Sequence, residues 1–136
     1  VTHWLLPATT AFICWGIWAF LPKLTTRYID PKSAIIYEAA GGLVVALVVL
    51  ALFVFKPATE PRGMVLALST GVLGAMGAFA YLYAMTKGPV VLVSTATALY
   101  PTVAVVLAYF FLNESVTLKQ AIGIVLGLIA MVLVST

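Results

Sequence analysis

The chain has 136 residues, of which 64% are hydrophobic and only 8% charged, with a mean hydropathy of +1.19, whereas a soluble domain carries about 25% charged residues. That composition excludes a water-soluble fold, and the length left outside the apolar stretches is too short for a soluble catalytic or nucleic-acid-binding domain of about 50 residues. The net charge of +3 rests on Lys23, Arg27, Lys32, Lys56, Arg62, Lys87 and Lys119, which are scattered among turns as headgroup anchors are; no basic stripe is present, so no nucleic acid is expected as a partner.

Crossing the hydrocarbon core takes about 20 mainly apolar residues, and the sequence predicts five such segments. The first covers about residues 4–21 and is closed by Pro22 and Lys23. It lacks the basic start and small-residue cleavage pattern of a signal peptide, so it reads as a retained helix. Trp15 and Trp18 share one of its faces. Cys14, the single cysteine, has no partner for an internal disulfide.

The second segment, about 31–55, starts with Asp30 as a cap and Pro31 at the first helical position, and Lys56-Pro57 ends it. Glu38 is the one ionisable group well inside a predicted helix. An acid there is costly unless it faces a bundle interior or a wet cavity, which makes Glu38 a candidate for proton coupling. The bland alternative is that it reaches headgroup water or pairs with a loop lysine.

Residues 64–85 form the third segment, preceded by a turn holding Glu60, Pro61 and Arg62 and ended by Lys87-Gly88-Pro89. Gly71, Gly74 and Gly77 give it a smooth side, and Tyr81 falls on the face that carries Thr70, Gly74 and Gly77. With Trp15 and Trp18, Tyr81 is a candidate wall for a pocket taking an amphipathic solute; plain packing is the other reading.

The fourth segment, about 90–112, has Pro101 near its middle, where the ring removes the amide that would bond the Thr97 carbonyl and predicts a kink. Ser94, Thr97 and Pro101 share a face at helical spacing with Tyr100 beside them, so these four are candidate cavity-lining residues. The alternative is a packing kink with hydroxyls bonded back to their own helix. Asn113-Glu114-Ser115 breaks the chain before the fifth segment, about 118–134, whose Gly123 and Gly127 have the GxxxG spacing of a helix-packing or dimer face.

The expected fold is therefore all-α, a single membrane domain over 1–136 with five transmembrane helices. Short links make successive helices antiparallel neighbours in an up-down bundle. Five crossings put Lys56, Arg62 and Lys119 on the side of the N-terminus and Lys23, Arg27, Lys32 and Lys87 on the other. The positive-inside bias is weak. Either the chain inserts both ways and pairs head to tail, or the loop bearing Lys23, Arg27 and Lys32 stays cytoplasmic. With one histidine (His3), one cysteine, no clustered acids and no glycine-rich phosphate loop, neither an enzyme, a metal site nor a cofactor is expected.

The second half carries a recognisable pattern: Lys87-Gly88-Pro89, Tyr100-Pro101, Leu112-Asn113-Glu114, Thr117, and Gly123 with Gly127, together with Trp15-Gly16 in the first segment. In these residues the chain resembles an EamA domain of the drug/metabolite transporter superfamily. The resemblance implies one EamA-like repeat unit and secondary transport of a small metabolite or drug-like solute. Most EamA proteins fuse two such units as inverted repeats. A single unit is similar to the five-helix bacterial and archaeal members and to the small multidrug resistance proteins, so the resemblance implies an antiparallel homodimer in a cell (inner) membrane. It also implies that Tyr100 and Pro101 belong to a kinked cavity-side helix and that Glu114 is a structural acid at a helix end. The small multidrug resistance proteins carry their coupling acid in the first helix, which here has none. A non-transporting membrane partner, or a lipid-carrier flippase subunit acting with an unlike chain, is the alternative function.

Overall fold

The computed structural model describes residues 4–52 and 56–135. Every regular element among them is a helix: α1 Leu5–Thr25, α2 Pro31–Leu52, α3 Pro61–Lys87, α4 Val90–Thr97, α5 Tyr100–Phe111 and α6 Leu118–Ser135. Four spans are long and apolar enough to cross a membrane, with α4 and α5 together forming the fourth (Val90–Phe111), and Leu118–Val134 is a shorter apolar helix. This is an all-helical membrane fold of five spans.

The helix starts follow from local chemistry. The Asp30 carboxylate accepts the amides of Lys32 at 2.9 Å and Ser33 at 3.2 Å, and the Ser33 hydroxyl donates to it at 2.7 Å, so the expected cap on α2 is present. α3 begins three residues earlier than expected, at Pro61. Glu60 is the reason: its carboxylate accepts the Gly63 amide at 2.6 Å, which supports a first turn with proline at its opening position. At α6, Thr117 and Gln120 cap each other's backbone, the Gln120 side-chain oxygen Oε1 accepting the Thr117 amide at 2.8 Å and the Thr117 hydroxyl accepting the Gln120 backbone amide at 3.4 Å.

Two expected boundaries are corrected. Pro22 does not close the first helix but lies buried inside it, and α1 continues to Thr25. Past the proline the last turn carries extra hydroxyl bonds, Thr25 donating to the Leu21 carbonyl at 3.1 Å and Thr26 to the Pro22 carbonyl at 2.9 Å. The fourth segment is two helices and not one kinked helix. Pro101 stands in the first turn of α5, and the break falls at Ala98-Leu99, upstream of the ring that cannot coexist with a regular turn. There the ladder tightens: the Ala98 amide is shared between the Ser94 and Thr95 carbonyls at 3.0 and 3.2 Å, and the Thr102 amide reaches the Leu99 carbonyl at 2.9 Å. The expected end of the second segment at 55 lies outside the described residues.

The chain divides into two compact units, the first ending at Lys87 and the second starting at Gly88. In the first, α3 packs against both α1 and α2. α1 and α3 run in parallel register: Tyr81 meets Ala19 and Trp18, and one turn on Lys23 meets Met85. The buried residues of this unit, Pro22, Ala34, Tyr81, Leu82 and Met85, all lie at the end where α1 and α3 finish and α2 begins. Elsewhere its large apolar side chains, Phe12, Leu66 and Leu73 among them, are exposed, as a molecule solvated by hydrocarbon permits. In the second unit α6 packs against α4.

Candidate functional site

Within the first unit, two of the expected cavity residues meet. The Trp18 and Tyr81 rings stack with centroids 5.3 Å apart and planes 22° from parallel. The Tyr81 hydroxyl donates to the Ala19 carbonyl at 2.8 Å, and the Lys23 ammonium donates to the Met85 carbonyl at 2.8 Å. Met85 belongs to the last turn of α3, whose carbonyls have no partner inside the helix, so a cation is the fitting donor. These contacts bind α1 to α3 beside Leu82, which is 0% exposed. Trp15, on the same face one turn earlier, is 61% exposed and takes no part in the stack.

Glu38 lies on α2 about 11 Å along the axis from the start of the helix, partly shielded. Asp30, outside the spans, is held below its usual carboxyl value of 3.8, first by the Ser33 hydroxyl and then by the Ser33 amide.

The second unit carries a groove of about 440 Å³ between the α4–α5 break and α6, a size that suits a small organic ligand. Thr95, Ala98, Pro101, Thr102 and Val105 form one wall, and Ile124, Gly127 and Met131 belong to the other. A second groove, also about 440 Å³, shares Val105 and Ile124 and runs on past Tyr109 to Glu114, Gln120 and Gly123. The two make one trench along α5 and α6.

Of the four residues singled out on this span, Pro101 lies on the trench, and Ser94, Thr97 and Tyr100 do not line it. The wall follows 95, 98, 102 and 105, one residue round from the expected face. Thr97 is instead bonded back to the Val93 carbonyl at 3.0 Å, the alternative left open for that hydroxyl, and Tyr100 is exposed. The wall's hydroxyl residues are Thr95 and Thr102, which the helical spacing did not single out, and the Thr95 hydroxyl likewise donates back to its own helix, to the Val91 carbonyl at 2.6 Å. Nothing in the local spacing distinguishes 94/97 from 95/102, because the rotation of α4 is set by its contact with α6.

Gly123 and Gly127 both lie on the trench. A Cβ built on either would meet nothing within 4 Å, and the same holds for Gly71, Gly74 and Gly77. At these five glycines no other part of the described chain comes that close. Pro101 backs onto a groove floored by glycine, and Tyr100-Pro101 with Gly123 and Gly127 are the residues that carried the family resemblance.

The family model of the EamA-like transporters matches residues 2–136, taking in all five spans. The chain belongs to the EamA-like transporter family. Membership places it in the drug/metabolite transporter superfamily. A protein of Methanocaldococcus jannaschii described as uncharacterized is 28% identical to this EamA chain over 123 residues, which cover 90% of the chain and 89% of that relative. No solved structure matches it.

Proposed function

We propose that this EamA chain is a secondary transporter of a small metabolite or drug-like solute, working by alternating access as an antiparallel homodimer in the cell membrane. The observation that carries the reading is the family match across all five spans. The trench supports it, being of ligand size and set against a broken span, where irregular backbone at membrane depth is tolerated because it lines a cavity. The archaeal relative is covered over 89% of its length by the same single unit, which favours pairing of units over fusion. A second copy, related by an axis in the membrane plane, would roof the trench and rebuild an inverted repeat.

The experiment is release from proteoliposomes. Vesicles containing the purified protein and loaded with a defined pool of metabolites and organic cations should lose particular solutes faster than protein-free vesicles, as read by mass spectrometry of the medium. Equal leakage of every solute from both vesicle types, with the protein folded, would remove the transporter reading. Obligate co-purification of a second polypeptide would replace the homodimer with an unlike pair.

Glu38 is the proposed proton-coupling group, since no acid stands in α1 and Glu38 is the acid inside α2. Glu38→Gln should abolish uptake driven by a proton gradient while leaving solute exchange at equilibrium intact. Unchanged gradient-driven uptake would end that role.

A further inference from the structure

One end of the first unit gathers four cations around a single acid, Asp30. Lys23 stands in the last turn of α1 and Lys87 in the last turn of α3, while Arg27 lies in the short link to α2 and Lys32 in the first turn of α2. The Lys23–Met85 hydrogen bond fixes the ends of α1 and α3 side by side, so these four cations share one end of the unit.

The acid of that link, Asp30, carries one negative charge against these four cations and so leaves the end net positive. Both oxygens of Asp30 are engaged by the Lys32 and Ser33 amides and the Ser33 hydroxyl. Lys23 is drawn onto Met85, and Lys87 lies 5.6 Å from the Tyr83 ring centroid. Lys23 and Lys87 also offset the negative ends of their own helices. Arg27 and Lys32 have no such duty, and Lys32 stands against the dipole of α2. A helix gains nothing from a cation there. Arg27, Lys32 and Lys87 are exposed, and Tyr28 between them is 86% exposed, an amphipathic ring of the kind that sits at headgroup level.

We infer that this end of the first unit is a binding surface for anionic phospholipid headgroups, with Arg27, Lys32 and Lys87 facing the phosphate and Tyr28 seated at the bilayer interface. A lipid and not a dissolved anion is the occupant because the patch stands at the ends of three spans, the depth at which headgroup phosphates lie. Each cation near an anionic surface contributes about fivefold in affinity. The inference requires only that the unit lies in a bilayer; it is independent of what is transported.

Native mass spectrometry of the purified protein titrated with phosphatidylglycerol or phosphatidylcholine tests it. The wild type should retain phosphatidylglycerol at least about tenfold better than phosphatidylcholine. The preference should vanish in Arg27→Gln/Lys32→Gln/Lys87→Gln, fall partway in each single variant, and persist in Lys56→Gln/Arg62→Gln, which removes charge from the turn before α3. Melting temperatures of the single variants should match the wild type, so that loss of lipid is not loss of fold. A triple variant that keeps the preference, or a control pair that loses as much, overturns the assignment. Displacement of phosphatidylglycerol by excess inorganic phosphate would overturn the lipid as occupant.

Discussion

Tyr81 combines three properties in one side chain: it is buried, it stacks on Trp18, and its hydroxyl is satisfied by the Ala19 carbonyl. Tyr81→Phe keeps the stack and loses the hydrogen bond, so thermal unfolding in detergent should show a loss of about 1 kcal/mol. Lys23→Met strips a charged donor from a helix-end carbonyl and should be more harmful, about 1.5–3 kcal/mol by the same assay. A larger effect of Tyr81→Phe would reverse the order of importance given to the two contacts. Asp30 adds a pH dependence. Its folded pKa is lowered by the Ser33 hydroxyl and amide, so its contribution is fully present above the unfolded value and is lost as pH falls through the folded one. The difference in melting temperature between wild type and Asp30→Asn should therefore be constant at neutral pH and shrink only below about pH 3.8.

At the scale of the element, the divided fourth span is the feature with most consequence. The break at Ala98-Leu99 precedes the ring of Pro101 because the proline is accepted in a first turn and rejected in an interior one. It sets Thr95 and Thr102 on the same wall of the trench. Pro101→Ala should restore a continuous ladder, raise thermal stability, and reduce solute release from proteoliposomes severalfold. An equally active Pro101→Ala protein would separate the break from transport. Thr95→Val and Thr102→Val test the hydroxyls without changing volume: they should alter which solutes are released, whereas Ser94→Ala and Thr97→Val, off the wall, should not.

At the scale of the whole molecule, Gly123 and Gly127 decide between packing within the chain and packing between copies. With nothing within 4 Å of either position, Gly127→Leu should leave the isolated chain as stable as before or firmer by up to about 0.8 kcal/mol, since leucine is the better helix former. The dimer fraction, counted by single-molecule photobleaching in bilayers, should fall severalfold, and an unchanged fraction would move the interface elsewhere. Much of this molecule was legible in the chain. Hydrocarbon as solvent leaves only internally bonded helices for a sequence this poor in charge, so composition and span length determined the all-helical class, the five spans, the cap at Asp30 and the interruption near Pro101. Only tertiary structure decided that Pro22 is buried within α1, that Trp18 and not Trp15 stacks on Tyr81, and that the trench wall runs through Thr95 and Thr102 instead of Ser94 and Thr97. Periodicity states which residues share a face, but the rotation of that face toward a neighbour depends on the side chains of another helix, remote in sequence, and no local spacing encodes it.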